Sequence, residues 1–176
     1  MASNPIAGMK SKSPIVLAVL LPILFGWATN CQAKNNCPWI NEATAGGLLG
    51  GEAVGEFTAA SAGQAAVCTF TQTGANFMRT LRITVEVTPD THVRLQAAEQ
   101  ACGKNAAPIQ AIGNEASMCA LDTRSSGLSE LVVGRVRDQL FTITVSTTLK
   151  DDLILTRMSL KEKAYTASEQ VAGNLF

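Results

Sequence analysis

The clearest pattern in the chain is an alternation of apolar and polar residues over Leu81–Val87. Every second residue is apolar, and the residues between them are polar: Arg82, Thr84 and Glu86. Because successive side chains of a β-strand point to opposite faces, a period of two predicts a strand with one buried face and one solvent-exposed face. We therefore interpret residues 78–88 as a central strand of a sheet.

Shorter runs predict further strands near residues 54–57, 67–71, 116–121, 128–136 and 139–148. The last two read as a β-hairpin that turns at Arg137-Asp138. The alternation changes phase around Gly134, which is typical of a β-bulge.

Three segments have helical spacing. Asn41 is a good N-cap for a helix over Glu42–Leu49, and Asp90 or Thr91 can cap a second one that runs to about Cys102. A capping box at Ser159 predicts the start of a C-terminal amphipathic helix. Its apolar positions recur at helical intervals: Leu160, Ala164, Ala167, Val171 and Leu175. Together these elements predict an α+β fold, an antiparallel sheet with helices packed on one face.

The N-terminus has the composition of an export signal. Lys10 and Lys12 precede an apolar run of 13 residues, Ile15–Trp27. A membrane-spanning helix needs about 20 residues, whereas a signal-peptide core needs roughly 7–15. We expect cleavage between Ala33 and Lys34, which gives a signal peptide over 1–33, a single exported domain over 34–176 and no permanent transmembrane helix.

Two other outcomes for this N-terminus stay open. The apolar run could remain as an uncleaved anchor, although it is short for a span. Cys31 could instead be a lipid-attachment cysteine, as in a lipoprotein. Asn30 fits that alternative poorly, because a small residue is expected at its position.

Four cysteines remain after the expected cleavage site: Cys37, Cys68, Cys102 and Cys119. An even number of cysteines in an exported chain predicts two disulfides, here with three alternative pairings. We favour Cys37–Cys68 and Cys102–Cys119, which link neighbouring segments. None of the four belongs to a C-x-x-C pair and the only histidine is His92, so we expect no metal site and no cofactor.

The amino-acid composition limits the classes of function that the protein can have. Apolar residues make up 47% of the chain and charged residues 16%, which is typical of a compact globular fold. Lys and Arg number 14, as do Asp and Glu. Without Lys10 and Lys12 the mature chain carries 14 − 2 = 12 basic and 14 acidic residues, a net charge of −2. This absence of a basic excess argues against nucleic acid as a partner.

The sequence favours binding over catalysis. It contains neither G-x-S-x-G nor H-E-x-x-H, and its only adjacent acidic pair, Asp151-Asp152, is expected to be solvated. The candidate ligand-binding residues are polar positions predicted on or near the outer sheet face: Arg82, Thr84, Arg135, Arg137, Thr142 and Thr144. We expect a non-enzymatic domain that binds a small ligand or a protein partner. A structural role in the envelope is the alternative, followed by a cell-envelope hydrolase.

A resemblance adds to this interpretation. Four stretches carry it: Leu48–Gly51, Cys68–Phe70, Ile112–Ala116 and Gly134–Val145. They resemble a family of small exported bacterial envelope proteins, many of them actinobacterial lipoproteins, whose domain has no assigned function. The chain is also similar to the extracellular sensor domain of certain mycobacterial Ser/Thr kinases, which carries two disulfides. The resemblance covers most of residues 37–175. It implies a periplasmic or extracellular location and transfers no catalytic residues.

Mass spectrometry of the protein from its native compartment tests these predictions together. We expect a mature chain that begins at Lys34 and contains no free thiol. A lipid-modified N-terminal Cys31 would support the lipoprotein alternative, and an intact Met1 would support the uncleaved anchor. Four free thiols would contradict the prediction of export into an oxidising compartment.

Overall fold

The computed structural model describes residues 36–121 and 127–176, which form an α+β domain around one antiparallel sheet. The helices are α1 (Glu42–Leu49), α2 (Thr91–Glu99), which continues as a 3₁₀-helix (Gln100–Asn105), and α3 (Arg157–Leu175). The strands are β1 (Val54–Thr58), β2 (Ala66–Thr73), β3 (Met78–Val87), β4 (Ala107–Pro108), β5 (Glu115–Leu121), β6 (Leu128–Val136) and β7 (Gln139–Thr147). Their order in the sheet is β1-β2-β3-β7-β6-β5-β4, and the predicted fold class is confirmed.

The centre of the sheet is the pairing of β3 with β7. Three apolar pairs lie directly across from one another and are buried: Leu81↔Val145, Ile83↔Ile143 and Val85↔Phe141. The alternation that predicted β3 is therefore confirmed for these positions. Val87, the last residue of the pattern, is 70% exposed because it lies at the strand end.

Helices α1 and α3 cover this apolar side of the sheet, which we call the core face. All five predicted apolar positions of α3 are buried. The helix begins at Arg157, however, so its N-cap is Thr156 and not Ser159. Thr156 has extended backbone angles, and its Oγ1 accepts a hydrogen bond of 3.2 Å from the Ser159 backbone N–H. The predicted layer of helices on one face holds for α1 and α3.

Helix α2 and its 3₁₀ extension lie against the opposite face. Leu95 and Cys102 pack there on Leu131 and Val133 of β6. Strand β6 is therefore buried on both sides, which explains why its alternation is unclear. The predicted bulge at Gly134 is wrong: Gly134 pairs in register with Phe141 and Ala116. A Cβ at this position would overlap the Phe141 ring, so the glycine serves close packing.

Both predicted disulfides are confirmed. Cys37–Cys68, with an S–S distance of 2.04 Å, links the segment before α1 to β2. Cys102–Cys119, with an S–S distance of 1.98 Å, links the 3₁₀-helix to β5. One bridge lies on each side of the sheet, since Cys68 belongs to the core under α1 and α3 and Cys119 to the cluster under α2. Each stabilises the fold by about 2–4 kcal/mol, chiefly by restricting the unfolded chain.

A buried ion pair closes one end of the core face. Arg79 donates two hydrogen bonds to Asp152, from Nε to Oδ2 at 2.8 Å and from Nη2 to Oδ1 at 2.7 Å. It also donates to the Leu49 carbonyl at the end of α1 and to Gln72 on β2, each at 3.1 Å. One guanidinium thus joins α1, β2, β3 and the segment that precedes α3.

Asp152 accepts further hydrogen bonds on its other side. The Thr147 hydroxyl donates at 2.6 Å, and the backbone N–H groups of Ile154 and Leu155 donate at 2.8 and 2.9 Å. Burial raises the pKa of Asp152, but the hydrogen bonds from Arg79, Thr147 and these two N–H groups outweigh it and hold the pKa well below its usual range. The expectation that both acids of Asp151-Asp152 are solvated is therefore wrong for Asp152, which is 3% exposed.

We expect Asp152→Ala to destabilise the protein by about 3–5 kcal/mol, because it leaves the buried Arg79 without its carboxylate. Urea unfolding at pH 7 measures the change, and Asp151→Ala, one residue away and exposed, should stay within about 0.5 kcal/mol. The folded pKa lies below the unfolded value of about 3.9, so the stabilisation is present at neutral pH and is lost as the pH falls below about 4. If the difference in unfolding free energy between wild type and Asp152→Ala stays the same down to pH 2, this account is contradicted.

Candidate functional site

The face opposite the core is open over β2, β3 and β7, because the described helix on that side, α2, lies over β5, β6 and the adjoining part of β7. Three cross-strand rows run over this open region. They are Val67–Thr84–Thr142, Thr69–Arg82–Thr144 and Thr71–Thr80–Ser146. We call the polar members the hydroxyl face: Thr69, Thr71, Thr80, Arg82, Thr84, Thr142, Thr144 and Ser146.

The pleated sheet fixes the spacing of these groups. Neighbouring strands lie roughly 4.8 Å apart, and alternate residues of one strand lie roughly 6.7 Å apart. Threonine is β-branched and has few rotamers, so each hydroxyl is held near one position. Each hydroxyl can both donate and accept a hydrogen bond. The result is a flat, regular array of hydroxyl groups.

Arg82 is the cation at the centre of this array. It is exposed and lies directly between Thr69 and Thr144. Within residues 36–121 and 127–176 its guanidinium has neither a hydrogen-bond nor an ion-pair partner. Glu86, the other charged residue of β3 on this face, is bound by Arg94 of α2, with N–O distances of 2.8 and 2.9 Å. Arg82 is therefore free to bind an anionic or hydrogen-bond-accepting group.

The structure separates the six predicted ligand-binding residues. Arg82, Thr84, Thr142 and Thr144 form one contiguous block. Arg135 lies on the same side of the sheet but is held by Glu115, which accepts from its Nη2 at 2.7 Å. This hydrogen bond is the largest influence on Glu115 and lowers the pKa of that carboxyl.

Arg137 lies apart from the block, in the β6–β7 turn. Its backbone has a φ of 55°, and its guanidinium lies 5.8 Å from the centroid of the Phe176 ring at the end of α3. Arg135 and Arg137 are thus engaged within the chain. His92 is largely exposed, as expected for its place in the first turn of α2, and its Nδ1 lies 3.2 Å from Glu115 Oε2.

A second polar site was missed by the sequence reasoning, and it lies on the core face. Glu130 alternates with Leu128 and Val132 on β6, so its side chain points to the apolar side. It is 3% exposed, and its Oε1 has no hydrogen-bond partner within residues 36–121 and 127–176. A carboxylate in register with an apolar strand face was the signal that could have revealed it.

Glu130 lies at a cavity of about 210 Å³ between β5, β6 and the start of α3, which we call the Glu130 pocket. Its walls are mainly apolar and include Ala120, Leu128, Met158 and Leu160, and Arg157 and Lys161 also line it. Burial raises the pKa of Glu130, while the positive charges of Lys161 and Arg157 oppose the rise only in part.

A wider cavity has fewer features of a specific site. It is an open groove of about 660 Å³ along α1, lined mainly by glycine and alanine. The Glu42 carboxylate beside it accepts a hydrogen bond of 2.7 Å from the Gly55 N–H and so covers a backbone donor of the edge strand β1. The smaller Glu130 pocket differs in containing a buried carboxylate oxygen without a hydrogen-bond partner among the described residues.

The described residues offer no metal site, and Asp151 and Asp152 do not form a catalytic pair. No group of three or more His, Cys, Asp or Glu side chains in this part of the chain could hold a metal ion. Asp152 is occupied by Arg79, so it cannot act together with Asp151. No helix among the described residues is long and apolar enough to cross a bilayer. Cys31 and the expected cleavage site at Ala33 lie outside the described residues.

Comparison with protein-family models, with curated proteins and with solved structures found no match to this chain.

The pH dependence of stability tests the placement of Glu130. Its folded pKa is raised, so its stabilising contribution is present below the unfolded pKa of about 4.3 and is lost as the pH rises through the folded pKa. We therefore expect Glu130→Gln to gain stability relative to wild type as the pH rises from 4 to 8, measured by urea unfolding. Glu169→Gln, an exposed position of α3, is the control and should not change the pH profile. If the unfolding free energies of wild type and Glu130→Gln change in parallel with pH, the burial of the Glu130 carboxyl is contradicted.

Proposed function

We propose that this protein is an exported domain of the bacterial cell envelope that binds a small polar ligand or a protein partner without catalysing a reaction, and that the hydroxyl face is the binding surface. The observation that carries the proposal is Arg82: an exposed guanidinium, unpaired within the described chain, at the centre of an array of hydroxyl groups. An arginine in this position offers a planar fork of donors to a carboxylate, a phosphate or a sugar oxygen.

The geometry favours a polar partner that lies flat on the sheet. Rigid threonine side chains lose little conformational entropy on binding, so hydrogen bonds to them contribute more of their energy to affinity. The array lies on a pleated sheet face, which suits an extended oligosaccharide or a protein loop better than a small enclosed molecule. We take a glycan with acidic groups as the first ligand class to test.

Two observations and one general property of disulfides support an exported location. The N-terminal segment has the composition of a signal peptide, two disulfides connect four cysteines, and disulfides persist mainly in oxidising compartments. The resemblance to small exported actinobacterial envelope proteins agrees with this proposal. A soluble periplasmic or extracellular domain and a lipid anchor at Cys31 are both compatible with it.

A structural or assembly role in the envelope is the second candidate. It is favoured by three apolar side chains close in sequence at the start of α3, of which Leu153 is 92% exposed, Met158 84% and Ile154 45%. Exposed apolar clusters of this kind are typical of protein contact sites. This cluster lies on different elements from the hydroxyl face, so variants distinguish the two roles.

We expect Arg82→Ala to weaken binding about 10- to 100-fold, since a hydrogen bond to a charged group contributes about 1.5–3 kcal/mol. The measurements are co-sedimentation with purified peptidoglycan and titration with acidic oligosaccharides. Thr84→Val and Thr142→Val keep the side-chain shape, remove one hydroxyl each and should weaken binding by about fivefold.

Arg137→Ala is the matched control, because Arg137 is also an exposed arginine but lies against Phe176. It should bind like wild type. If Arg82→Ala and both valine variants fold and bind like wild type, the hydroxyl face is not the binding surface. If Leu153→Glu and Met158→Glu abolish an interaction that Arg82→Ala leaves intact, the assembly role is favoured instead.

A further inference from the structure

We propose that the Glu130 pocket is a second binding site, for a small apolar carboxylate whose hydrocarbon part enters the pocket and whose head group lies between Glu130 and the cations Arg157 and Lys161. The site is independent of the hydroxyl face, because the side chain of Glu130 points to the opposite side of the sheet from that of Arg82.

The first argument is the unpaired oxygen. Buried polar atoms in folded proteins almost always have a hydrogen-bond partner, because an unpaired one loses its hydration without compensation. Glu130 is 3% exposed, and its Oε1 has no such partner in the part of the chain that the structure describes. Its cross-strand neighbours on β5 and β7 are Ala120 and Val145, which have no side-chain donor to offer. A ligand in the pocket can supply the missing partner.

The second argument is the charge around the pocket. Arg157 and Lys161 stand one helical turn apart on α3, both are exposed, and neither has a hydrogen-bond or ion-pair partner among the described residues. They are also the charged groups that act on Glu130. Both lie in the first two turns of α3, where the helix dipole adds positive potential. Two free cations favour an anion and disfavour an amine.

The third argument is the shape and polarity of the pocket. Ala120, Leu128, Met158 and Leu160 give it apolar walls. Its volume of about 210 Å³ exceeds the roughly 150 Å³ of a dry cavity that holds benzene. The pocket therefore has room for a ligand of about eight heavy atoms, such as a six-carbon carboxylate.

The position of the proton follows from these three features. Glu130 in its protonated form donates its O–H to the ligand carboxylate, which also interacts with Arg157 and Lys161. An ionised Glu130 would repel the same ligand. At a pH where free Glu130 is ionised, binding takes up one proton from solvent, so affinity falls as the pH rises through the range in which Glu130 ionises.

Titration of the ¹⁵N-labelled protein with hexanoate, hexanol and hexylamine tests the ligand class. We expect hexanoate to shift the amide resonances of Ala120, Glu130 and Lys161, with hexanol binding more weakly and hexylamine not at all. Hexanoate affinity should fall at least about tenfold as the pH rises through the ionisation of Glu130, the effect of losing a hydrogen bond to a charged group.

Variants separate the contributions of the site. Arg157→Ala/Lys161→Ala should weaken hexanoate about fivefold and leave hexanol unchanged, because exposed charge interactions are modest. Glu130→Gln keeps a neutral donor, so it should bind hexanoate with an affinity that no longer depends on pH. Glu130→Leu should lose the preference for hexanoate over hexanol. Arg82→Ala should bind all three probes like wild type, which distinguishes this site from the hydroxyl face.

The proposal is overturned if hexylamine binds as tightly as hexanoate, if no probe shifts these resonances, or if Glu130→Gln keeps the wild-type pH dependence. Arg124, which lies outside the described residues, provides a further check. The measurement is the pKa of Glu130, determined by ¹³C NMR in wild type and in Arg124→Ala. If the substitution raises this pKa, then the chain itself supplies the partner of Glu130 and the pocket is not a ligand site. An unchanged pKa supports the proposal.

Discussion

The pairing of β3 with β7 is the contact on which the rest of the structure depends. It joins the β1-β2-β3 half of the sheet to the β7-β6-β5-β4 half, although more than fifty residues of chain lie between the two strands. The register from Arg79↔Thr147 to Val87↔Gln139 places Leu81, Ile83 and Val85 against apolar partners. Because the side-chain period is two, the same register sets Arg82 and Thr84 beside Thr144 and Thr142 on the other side. A slip of one residue would remove both the core and the hydroxyl face.

Burial on one or both sides explains which strands could be predicted from the sequence. β3 and β7 are buried on one face over most of their length, so their alternation is clear and indicates both the strands and the hydroxyl face. β6 is covered by α3 on one side and by α2 on the other, so its pattern is nearly continuous. The phase change at Gly134 therefore reflected two buried faces and not a bulge.

The polar contacts of the core face could not be predicted in the same way. Arg79 and Asp152 are 73 residues apart, and no local pattern connects them. Asp152 reads as a solvated acid because it follows Asp151 in a polar segment, and only the tertiary fold brings Thr147 and Arg79 to it. The disulfides are easier to predict than these polar contacts. Four cysteines allow three pairings, and proximity in sequence favours the observed one.

Two buried carboxylates on the same sheet face show what distinguishes a structural acid from a binding acid. Asp152 accepts hydrogen bonds from a guanidinium, a hydroxyl and two backbone N–H groups, so both its oxygens are satisfied and its pKa is lowered. Glu130 is as deeply buried and its pKa is raised. Among the described residues, however, its Oε1 has no partner, and neither have Arg157 and Lys161 beside it. A domain that needed Glu130 for stability alone would gain from an apolar residue there, since an unpaired buried acid destabilises. The carboxyl is better explained by an interaction that the described residues do not complete.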